Sequence, residues 1–356
     1  MPVDLPAIDA DGHIEERDQD VRKYLEPPWD RRNTGLRPVD QPWDQHLFGK
    51  LGQDEAHRAM DPATEMETWL RIMDEHGMEH AVLFPTGSGN FAQNREGGYA
   101  AALCRAANNL FAREYNTVSS RLQTVGVLPL QDVDEAVKEL RRAVTELGLI
   151  GFEILPLGLP YGLGDATYDP LWAEAQRLGA VMCIHGQRQN SAAVGGDRFR
   201  TFGETHCYAF TAGLLLHFTS VMWNAVPLRF PGVKIGFLEI GATWLPYYLD
   251  RLDEHWEKRG EFEAPHLPIK PSQLFRESQV YVSLEAGEGL LPATVDYLGD
   301  DRLLYASDIP HWDCEFPGNL VALREHPRLS RETKEKILYR NAQALFGIGA
   351  RSAAPA

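Results

Sequence analysis

Short apolar stretches recur along the chain, and longer stretches with helical periodicity separate them. The apolar stretches are rich in β-branched and aromatic residues, which is typical of buried strands. Eight of them occur, at residues 7–14, 80–86, 122–130, 149–156, 180–186, 233–240, 279–286 and 303–310. The intervening stretches, such as 63–76 and 133–147, are amphipathic. In the second, one helical face collects Val133, Val137, Leu140, Val144 and Leu147.

Eight consecutive β–α units predict an α/β protein with a (β/α)₈ (TIM) barrel. Leu130 closes one predicted strand, and Asp132 is placed to cap the helix that follows. An open, doubly wound sheet is the alternative, but such a sheet usually carries a glycine-rich phosphate loop after its first strand. No such loop follows residues 7–14. We therefore favour the barrel.

Residues 17–61 interrupt the repeat. They contain four prolines and two tryptophans with little periodicity. Long ordered loops in compact domains are often functional, so we expect a β1–α1 insertion that covers the barrel mouth as a lid. The alternative is an oligomer interface, and we favour a mixed role in which the base of the loop packs against a partner and its tip covers the metal. We expect residues 1–349 to form a single domain and residues 350–356 to be a frayed tail.

Polar residues stand at the ends of several predicted strands, where barrel enzymes carry their chemistry. Asp11 and His13 end the first strand, and their i, i+2 spacing places both side chains on one side. The other members of the set are Glu153, His185, Glu239, Asp308 and His311. Histidines and carboxylates that converge from different strands form a mixed nitrogen and oxygen metal site. A lone strand-end histidine is more often structural, so the prediction depends on the joint pattern.

The chain offers more ligand-type residues than one metal ion needs. Glu16 is an additional ligand candidate, and Asp9 is expected to point away or to support the ligands. Three further residues that could bind metal or substrate are Glu153, His206 and His217. The alternative interpretation of His217, in L-L-L-H-F, is a buried helix residue. The sequence therefore predicts one or two divalent metal ions per chain.

The composition argues against some partners. In 356 residues, 35 Lys and Arg against 51 Asp and Glu give a net charge of −16, which repels nucleic acid and anionic lipid. No run of about 18 apolar residues predicts a transmembrane helix, and M-P-V-D-L-P does not resemble a signal peptide. The four cysteines form no C-x-x-C pair, and we expect them to be reduced thiols. We expect a cytoplasmic protein with a small-molecule substrate that forms a homo-oligomer, or a hetero-oligomer with a related chain.

Several motifs resemble one known family. In chain order they are D-x-H (11–13), C-I-H-G (183–186), E-I-G-A-T-W-L-P (239–246), S-D-I-P-H-W-D (307–313) and R-N-A-Q-A-L-F-G (340–347). They are similar to the amidohydrolase-related proteins of the aminocarboxymuconate semialdehyde decarboxylase type, over about residues 7–347. The resemblance implies a metal-dependent-hydrolase-like barrel with ligands at Asp11, His13, His185 and Asp308.

Two positions depart from the common pattern of that family. The first strand carries D-x-H instead of H-x-H, and Glu239 stands where a histidine is common. Each change replaces an imidazole by a carboxylate. Carboxylates favour harder ions such as Mn²⁺ or Fe²⁺, so a strict preference for Zn²⁺ is not expected.

The resemblance implies an enzyme that hydrolyses or non-oxidatively decarboxylates a small organic acid or related compound. The metal would polarise the substrate or activate a water. Asp308 would be a ligand and proton acceptor, and His311 would orient the substrate or shuttle a proton. Glu239 would be the general acid/base, with a pKa raised by its apolar neighbours if no cation pairs with it. The alternatives are a dinuclear iron or manganese oxygenase (hydroxylase) of a small carboxylate and a non-catalytic scaffold subunit.

Overall fold

The computed structural model describes residues 4–32, 36, 60–187 and 189–349. Its strands are β1 (Ala7–Ile14), β2 (Met78–Pro85), β3 (Leu122–Thr124), β4 (Gly126–Val127), β5 (Gly151–Ile154), β6 (Val181–His185), β7 (Lys234–Leu238), β8 (Val280–Leu284) and β9 (Leu303–Tyr305). All eight predicted strands are confirmed, and the third is divided at Val125 into β3 and β4.

The strands form one closed parallel barrel. β1, β2 and β3 are neighbours in that order, and β4 to β9 continue in chain order. The Val125 N–H donates to a carbonyl of β2, which makes β3 and β4 parts of one barrel strand. The barrel closes where the Asp308 N–H donates to the Asp11 carbonyl (2.9 Å) and the His13 N–H donates to the Ile309 carbonyl (2.7 Å). The predicted (β/α)₈ barrel is therefore confirmed.

Helices surround the barrel and follow its strands. They are α1 (Asp18–Arg22), α2 (Pro62–His76), α3 (Gly97–Leu110), α4 (Val133–Thr145), α5 (Asp169–Leu178), α6 (Phe202–Trp223), α7 (Val226–Arg229), α8 (Leu245–Glu263), α9 (Pro271–Glu277), α10 (Leu291–Leu298), α11 (Gly318–Glu325), α12 (Arg331–Glu335) and α13 (Asn341–Phe346). Among the helices that the structure describes, none combines the length and apolar content that a bilayer crossing requires.

The core has two layers. A large cluster fills the space between the strands and the helices. A smaller cluster fills the barrel interior and includes Ile8, Ala10, Val82, Val181 and Leu304. The apolar interior leaves the ends of the strands as the place where buried polar groups can gather.

Helix α4 shows how the sequence pattern becomes structure. Asp132 caps it, since its carboxylate accepts a hydrogen bond from the Glu135 N–H at 3.1 Å. Leu140 is buried, and the other apolar residues of the predicted face are half-buried against the core. The predicted helix and its cap are both present.

The predicted insertion is described only in part. Its first half contains α1 and a turn of 3₁₀-helix at Trp29–Arg31, which the lack of periodicity did not predict. The Trp29 ring packs on Tyr99 with 5.4 Å between ring centroids. Residues 33–35 and 37–59, and the tail at 350–356, lie outside the described residues, so the lid and the tail stay predictions.

Candidate metal centre and active site

An irregularity in β1 decides where its polar residues point. The pairing register between β1 and β2 shifts between Asp9 and Gly12, as in a β-bulge. Gly12 faces the outer helices, because a Cβ there would lie 2.5 Å from the Trp69 ring. Asp11 and His13 consequently face the barrel mouth.

Two histidines and two carboxylates converge at that mouth. Nε2 of His13 lies 3.2 Å from Oδ1 of Asp308 and 3.6 Å from Oδ1 of Asp11. Nε2 of His185 lies 3.1 Å from the same Asp11 oxygen. Possible ligand atoms of Asp11, His13 and His185 lie within 4.8 Å of one another. A second group with this spacing consists of His13, Glu239, Asp308 and His311. The groups share His13 and form one cluster.

Two carboxylates of the cluster stand on left-handed backbone. The angle φ is +80° at Glu239 and +57° at Asp308, a region that residues other than glycine seldom occupy. Neighbouring groups hold both: the Glu239 N–H donates to Oγ of Ser283 at 2.9 Å, and the Asp308 N–H donates to the Asp11 carbonyl. Backbone strain of this kind concentrates at functional sites.

Asp9 supports the loop that carries Asp308. Its Oδ1 accepts hydrogen bonds from the N–H groups of Ser307 (3.0 Å) and Asp11 (3.2 Å). Its Oδ2 accepts from the Ser307 hydroxyl. Burial raises the pKa of Asp9 to about 7, although these hydrogen bonds oppose the rise. Of the two roles expected for Asp9, pointing away or supporting the ligands, the hydrogen bonds agree with the second.

The carboxylates set the charge of the three imidazoles. Burial lowers the pKa of His13, and the charge of His311 lowers it further. Burial also disfavours the cations of His185 and His311, but nearby carboxylates outweigh it and raise both pKa values well above the usual range. Oε2 of Glu239 lies 2.9 Å from Nδ1 of His185, and Oδ1 of Asp308 lies 2.6 Å from Nδ1 of His311. Without a metal, His185 and His311 are cationic near neutral pH and His13 is neutral.

The sequence predicted a raised pKa for Glu239 on the condition that no cation pairs with it, and that condition is not met. Burial does favour the neutral form, but the cationic His185 lies 2.9 Å from the carboxylate. The charge of His185 and the contacts with His185 and His311 lower the pKa of Glu239 to about 2. Asp308 behaves in the same way: burial is outweighed by His311 and His13, and its pKa falls below the usual range. Both residues are carboxylates at neutral pH.

The cluster has the properties of a cation site. Within the described part of the chain, Asp11 Oδ2, both ring nitrogens of His13 and Glu239 Oε2 are buried without an aligned hydrogen bond. His13 Nε2 lies 3.2 Å from Oδ1 of Asp308, and Glu239 Oε2 lies 2.9 Å from Nδ1 of the cationic His185, but neither contact is an aligned hydrogen bond. Buried polar atoms are nearly always satisfied. Imidazole nitrogens and carboxylate oxygens are ligands of Mn²⁺, Fe²⁺ and Zn²⁺, so these residues fit a divalent metal.

Two predicted ligands do not join the cluster. Oε1 of Glu16 accepts a hydrogen bond from the Ser88 N–H, and Glu16 lies in neither group. This geometry does not support the prediction that Glu16 is a ligand. Nδ1 of the buried His217 accepts from the Leu163 N–H at 3.2 Å, and burial lowers the pKa of His217 to about 4. His217 is a buried residue of α6 that lies in neither group, so its position agrees with the alternative interpretation and does not support a role as ligand or substrate-binding residue.

Glu153 and His206 lie in a pocket beside the cluster. The pocket has a cavity volume of about 70 Å³ and opens to solvent. His206 packs on Phe210, with 3.9 Å between ring centroids, and lies 5.6 Å from the Trp312 ring. These rings form an apolar wall. The cluster residues that line the pocket are His13, His185, Glu239 and His311.

Sequence analysis missed several polar residues of this pocket. Oγ1 of Thr86, just after β2, lies 3.3 Å from Nε2 of His311. Gln187 follows His185 by two positions, and Asn90 lies in the 3₁₀-helix after β2. Thr86 and Gln187 stand at strand ends, so the rule that we applied to charged residues would have found them. No comparable signal marks Asn90.

Helix α2 holds the end of β1 from outside the barrel. Nε1 of Trp69 donates to the His13 carbonyl at 3.1 Å. Oε1 of Glu65 accepts from the Glu15 N–H at 2.7 Å, and burial raises the pKa of Glu65 to about 8. The backbone on both sides of the strand end is thereby fixed to one helix.

Comparison with known proteins relates this geometry to other barrels. The profile of the family described as Amidohydrolase matches residues 8–348. The chain is 26% identical over 304 residues to the 2-amino-3-carboxymuconate-6-semialdehyde decarboxylase of Dictyostelium discoideum. This alignment covers 85% of this chain and 81% of that protein. It is 26% identical over 292 residues to a gamma-resorcylate decarboxylase of Polaromonas, covering 78% and 86%.

The fold likeness extends to solved structures. A dihydroxybenzoic acid decarboxylase from Polaromonas, with bound manganese and the inhibitor 2-nitroresorcinol, superposes with a TM-score of 0.71. The superposition covers 98% of each chain at 22% identity. At this identity the likeness is one of fold.

Proposed function

The chain belongs to the amidohydrolase family, and from this premise we propose that it catalyses the metal-dependent, non-oxidative decarboxylation of a small aromatic carboxylic acid. It is an enzyme on the amidohydrolase barrel, with a residue cluster that fits a divalent metal. Both curated relatives described above are decarboxylases. Their chemistry supports a lyase reaction here.

The observation that carries the proposal is the buried cluster at the floor of an open pocket. Asp11, His13 and His185 bring a carboxylate and two imidazoles within 4.8 Å of one another, and Asp308 lies 3.2 Å from His13. His311 and Glu239 line the pocket directly beside them. A small acid in this pocket meets both the metal-binding groups and a cationic imidazole.

The reaction requires one proton. The bond between the ring carbon and the carboxylate breaks, its electron pair stays on the ring carbon, carbon dioxide leaves, and a proton joins the ring carbon. His311 is the donor that we propose, because the neighbouring carboxylates keep it protonated near neutral pH and it faces the pocket. Asp308, 2.6 Å from its Nδ1, orients the ring and accepts the remaining N–H. Glu239 helps to maintain the positive charge of His311.

A divalent ion, when bound, supplies an electrophilic centre that anchors and polarises the substrate. The residues that would hold it are Asp11, His13, His185 and Asp308. Two imidazoles with two carboxylates suit Mn²⁺ and Fe²⁺ as well as Zn²⁺. We propose one ion per chain, because the two groups of ligand atoms share His13 and Glu16 lies outside both.

The other candidate functions have less support. The curated relatives are decarboxylases, so the dinuclear oxygenase is not favoured. A scaffold subunit would be expected to have a blocked mouth, whereas the described residues leave this pocket open. Hydrolysis uses the same fold, but both relatives break a carbon–carbon bond.

The test is to incubate the manganese-loaded protein with a panel of hydroxybenzoic acids and to measure carbon dioxide and the matching phenols. Asp308→Asn, folded by circular dichroism, should abolish both products. If no acid releases carbon dioxide and ester or amide probes are cleaved instead, the enzyme is a hydrolase. Oxygen consumption with formation of a hydroxylated product would support the oxygenase function instead.

We also propose that the chain works as an oligomer in the cytoplasm. Helix α8 carries Tyr247 and Phe262, which are 69% and 75% exposed, and large apolar side chains are enriched at interfaces. All four cysteines are free thiols, as in reducing compartments. Size-exclusion chromatography with light scattering tests the assembly, and a fully active monomer would contradict it.

A further inference from the structure

The pocket contains buried hydrogen-bond acceptors that the metal cluster does not use. Glu153 and Asn90 both line it, with only 5% and 6% of their surface exposed. Oε2 of Glu153 and Oδ1 of Asn90 have no hydrogen-bond partner in the described part of the chain. Neither residue belongs to the two groups of possible ligands. Since buried polar atoms are nearly always satisfied, these acceptors point to a ligand in the pocket.

Packing fixes both acceptors. Glu153 lies on β5, and its Oε1 is 4.0 Å from Nδ1 of His185, too far for a hydrogen bond. Its Oε2 occupies the space that a Cβ at Gly89 would fill. Nδ2 of Asn90 is directed to the Gly87 carbonyl at 3.4 Å, which leaves Oδ1 as the unused atom. Because Gly89 has no side chain, it leaves room for the carboxyl group of Glu153.

We propose that Glu153 and Asn90 form an acceptor pair that recognises a hydroxyl or amino group on the substrate ring, away from the reacting carboxylate. The proposal rests on the proposed function in that the substrate is an aromatic acid. A carboxyl group retains an accepting oxygen in either protonation state, and an amide oxygen can only accept. A ring substituent with N–H or O–H complements this pair.

The acceptor pair also predicts what the pocket rejects. A methyl group would leave both acceptors buried and unsatisfied. Sites built to hydrogen-bond a substrate group discriminate strongly against analogues that lack it. The substrate class is therefore aromatic acids that carry a hydroxyl or amino substituent at a second ring position.

The test measures binding to the manganese-loaded protein by calorimetry. Salicylate is compared with dihydroxybenzoates and amino-salicylates that carry the second donor at each ring position. At least one of these should bind about 10- to 100-fold more tightly than salicylate. Glu153→Leu should remove that preference and keep salicylate binding within about threefold. Glu153→Gln, which keeps an accepting oxygen, should retain most of it.

A glycine pair provides the matched control. Gly89→Ala displaces the carboxyl group of Glu153 without changing its chemistry, so it should reproduce the loss seen in Glu153→Leu. Gly203→Ala, where a Cβ meets nothing within 4 Å, should leave the preference unchanged. Gly89→Ala also decides the case if Glu153→Leu does not fold.

Equal affinity of the wild-type protein for salicylate and every donor-bearing acid would overturn the proposal. So would a preference that persists in Glu153→Leu or, where that variant does not fold, in Gly89→Ala. Affinity and carbon dioxide release are separate measurements on the same acids, so the two proposals fail separately. Donor-dependent binding without carbon dioxide release would refute decarboxylation alone, and carbon dioxide release without any donor preference would refute the acceptor pair alone.

Discussion

Binding of a divalent metal should release protons from the protein. His185 is cationic near neutral pH in the metal-free chain, because Glu239 and Asp11 outweigh the effect of burial on its pKa. His13 is neutral, because burial and His311 lower its pKa. A histidine must be neutral to bind a metal ion. Ligation by His185 therefore expels one proton, and ligation by His13 expels none.

The size of the effect follows from the number of protons released. The pKa of His185 is raised in the metal-free state, so falling pH stabilises that state and weakens metal binding. One proton changes the association constant tenfold per pH unit, or about 1.4 kcal/mol. Between pH 6.5 and 7.5 the affinity for Mn²⁺ should rise about tenfold. The rise approaches a hundredfold if Asp308 gives up its ion pair with His311 and a second proton leaves.

Calorimetric titration with Mn²⁺ in two buffers of different ionisation enthalpy counts the released protons directly. The count should be one, or two if His311 also loses its proton, and His311→Asn should give a count of one in either case while the metal still binds. Competition with a chelator at several pH values checks the slope. A count of zero, or an affinity that does not change with pH, would refute the protonation states assigned to the cluster.

Other substitutions test the cluster and its support. His185→Ala should lose most bound metal while the barrel stays folded, because the ligands lie at the active face; full retention by elemental analysis would contradict the ligand set. Glu239→Gln should lower kcat about 10²- to 10⁴-fold. Glu16→Gln should leave one metal ion per chain. If the wild-type protein holds two equivalents of metal and either variant holds one, the site is dinuclear. Trp69→Phe, which removes the bond to the His13 carbonyl, should lower the free energy of unfolding in urea by about 1–3 kcal/mol, and an unchanged value would mean that α2 does not hold β1.

The fold could be predicted from the sequence because each barrel strand is buried on both sides and reads as a short apolar run. The strand-end rule also selected Asp11, His13, His185 and Asp308, which the structure brings into one cluster. The rule works because parallel strands place all their carboxyl ends at one face. It needs no knowledge of distances across the barrel.

Properties that depend on those distances could not be predicted. The charge of Glu239 is set by His185, 54 positions earlier in the chain, so local apolar neighbours alone do not determine the sign of its pKa shift. His217 and His185 both stand in apolar surroundings in the sequence. Only the fold shows that one accepts a backbone N–H behind the barrel wall and the other faces the mouth.

The bulge in β1 has a consequence for protein engineering. Ile8 and Ala10 face the barrel interior, and regular alternation would next turn Gly12 inward, with Asp11 and His13 against the helices. Transplanting the segment from Ile8 to His13 onto a strand without a bulge would therefore aim both ligands away from the mouth. The unit to transplant is the strand with its bulge, together with the helix whose Trp69 ring packs on Gly12. Deletion of the extra residue would remove the bulge but keep Asp11 and His13 facing the mouth, because the residues after the bulge keep their pairing register.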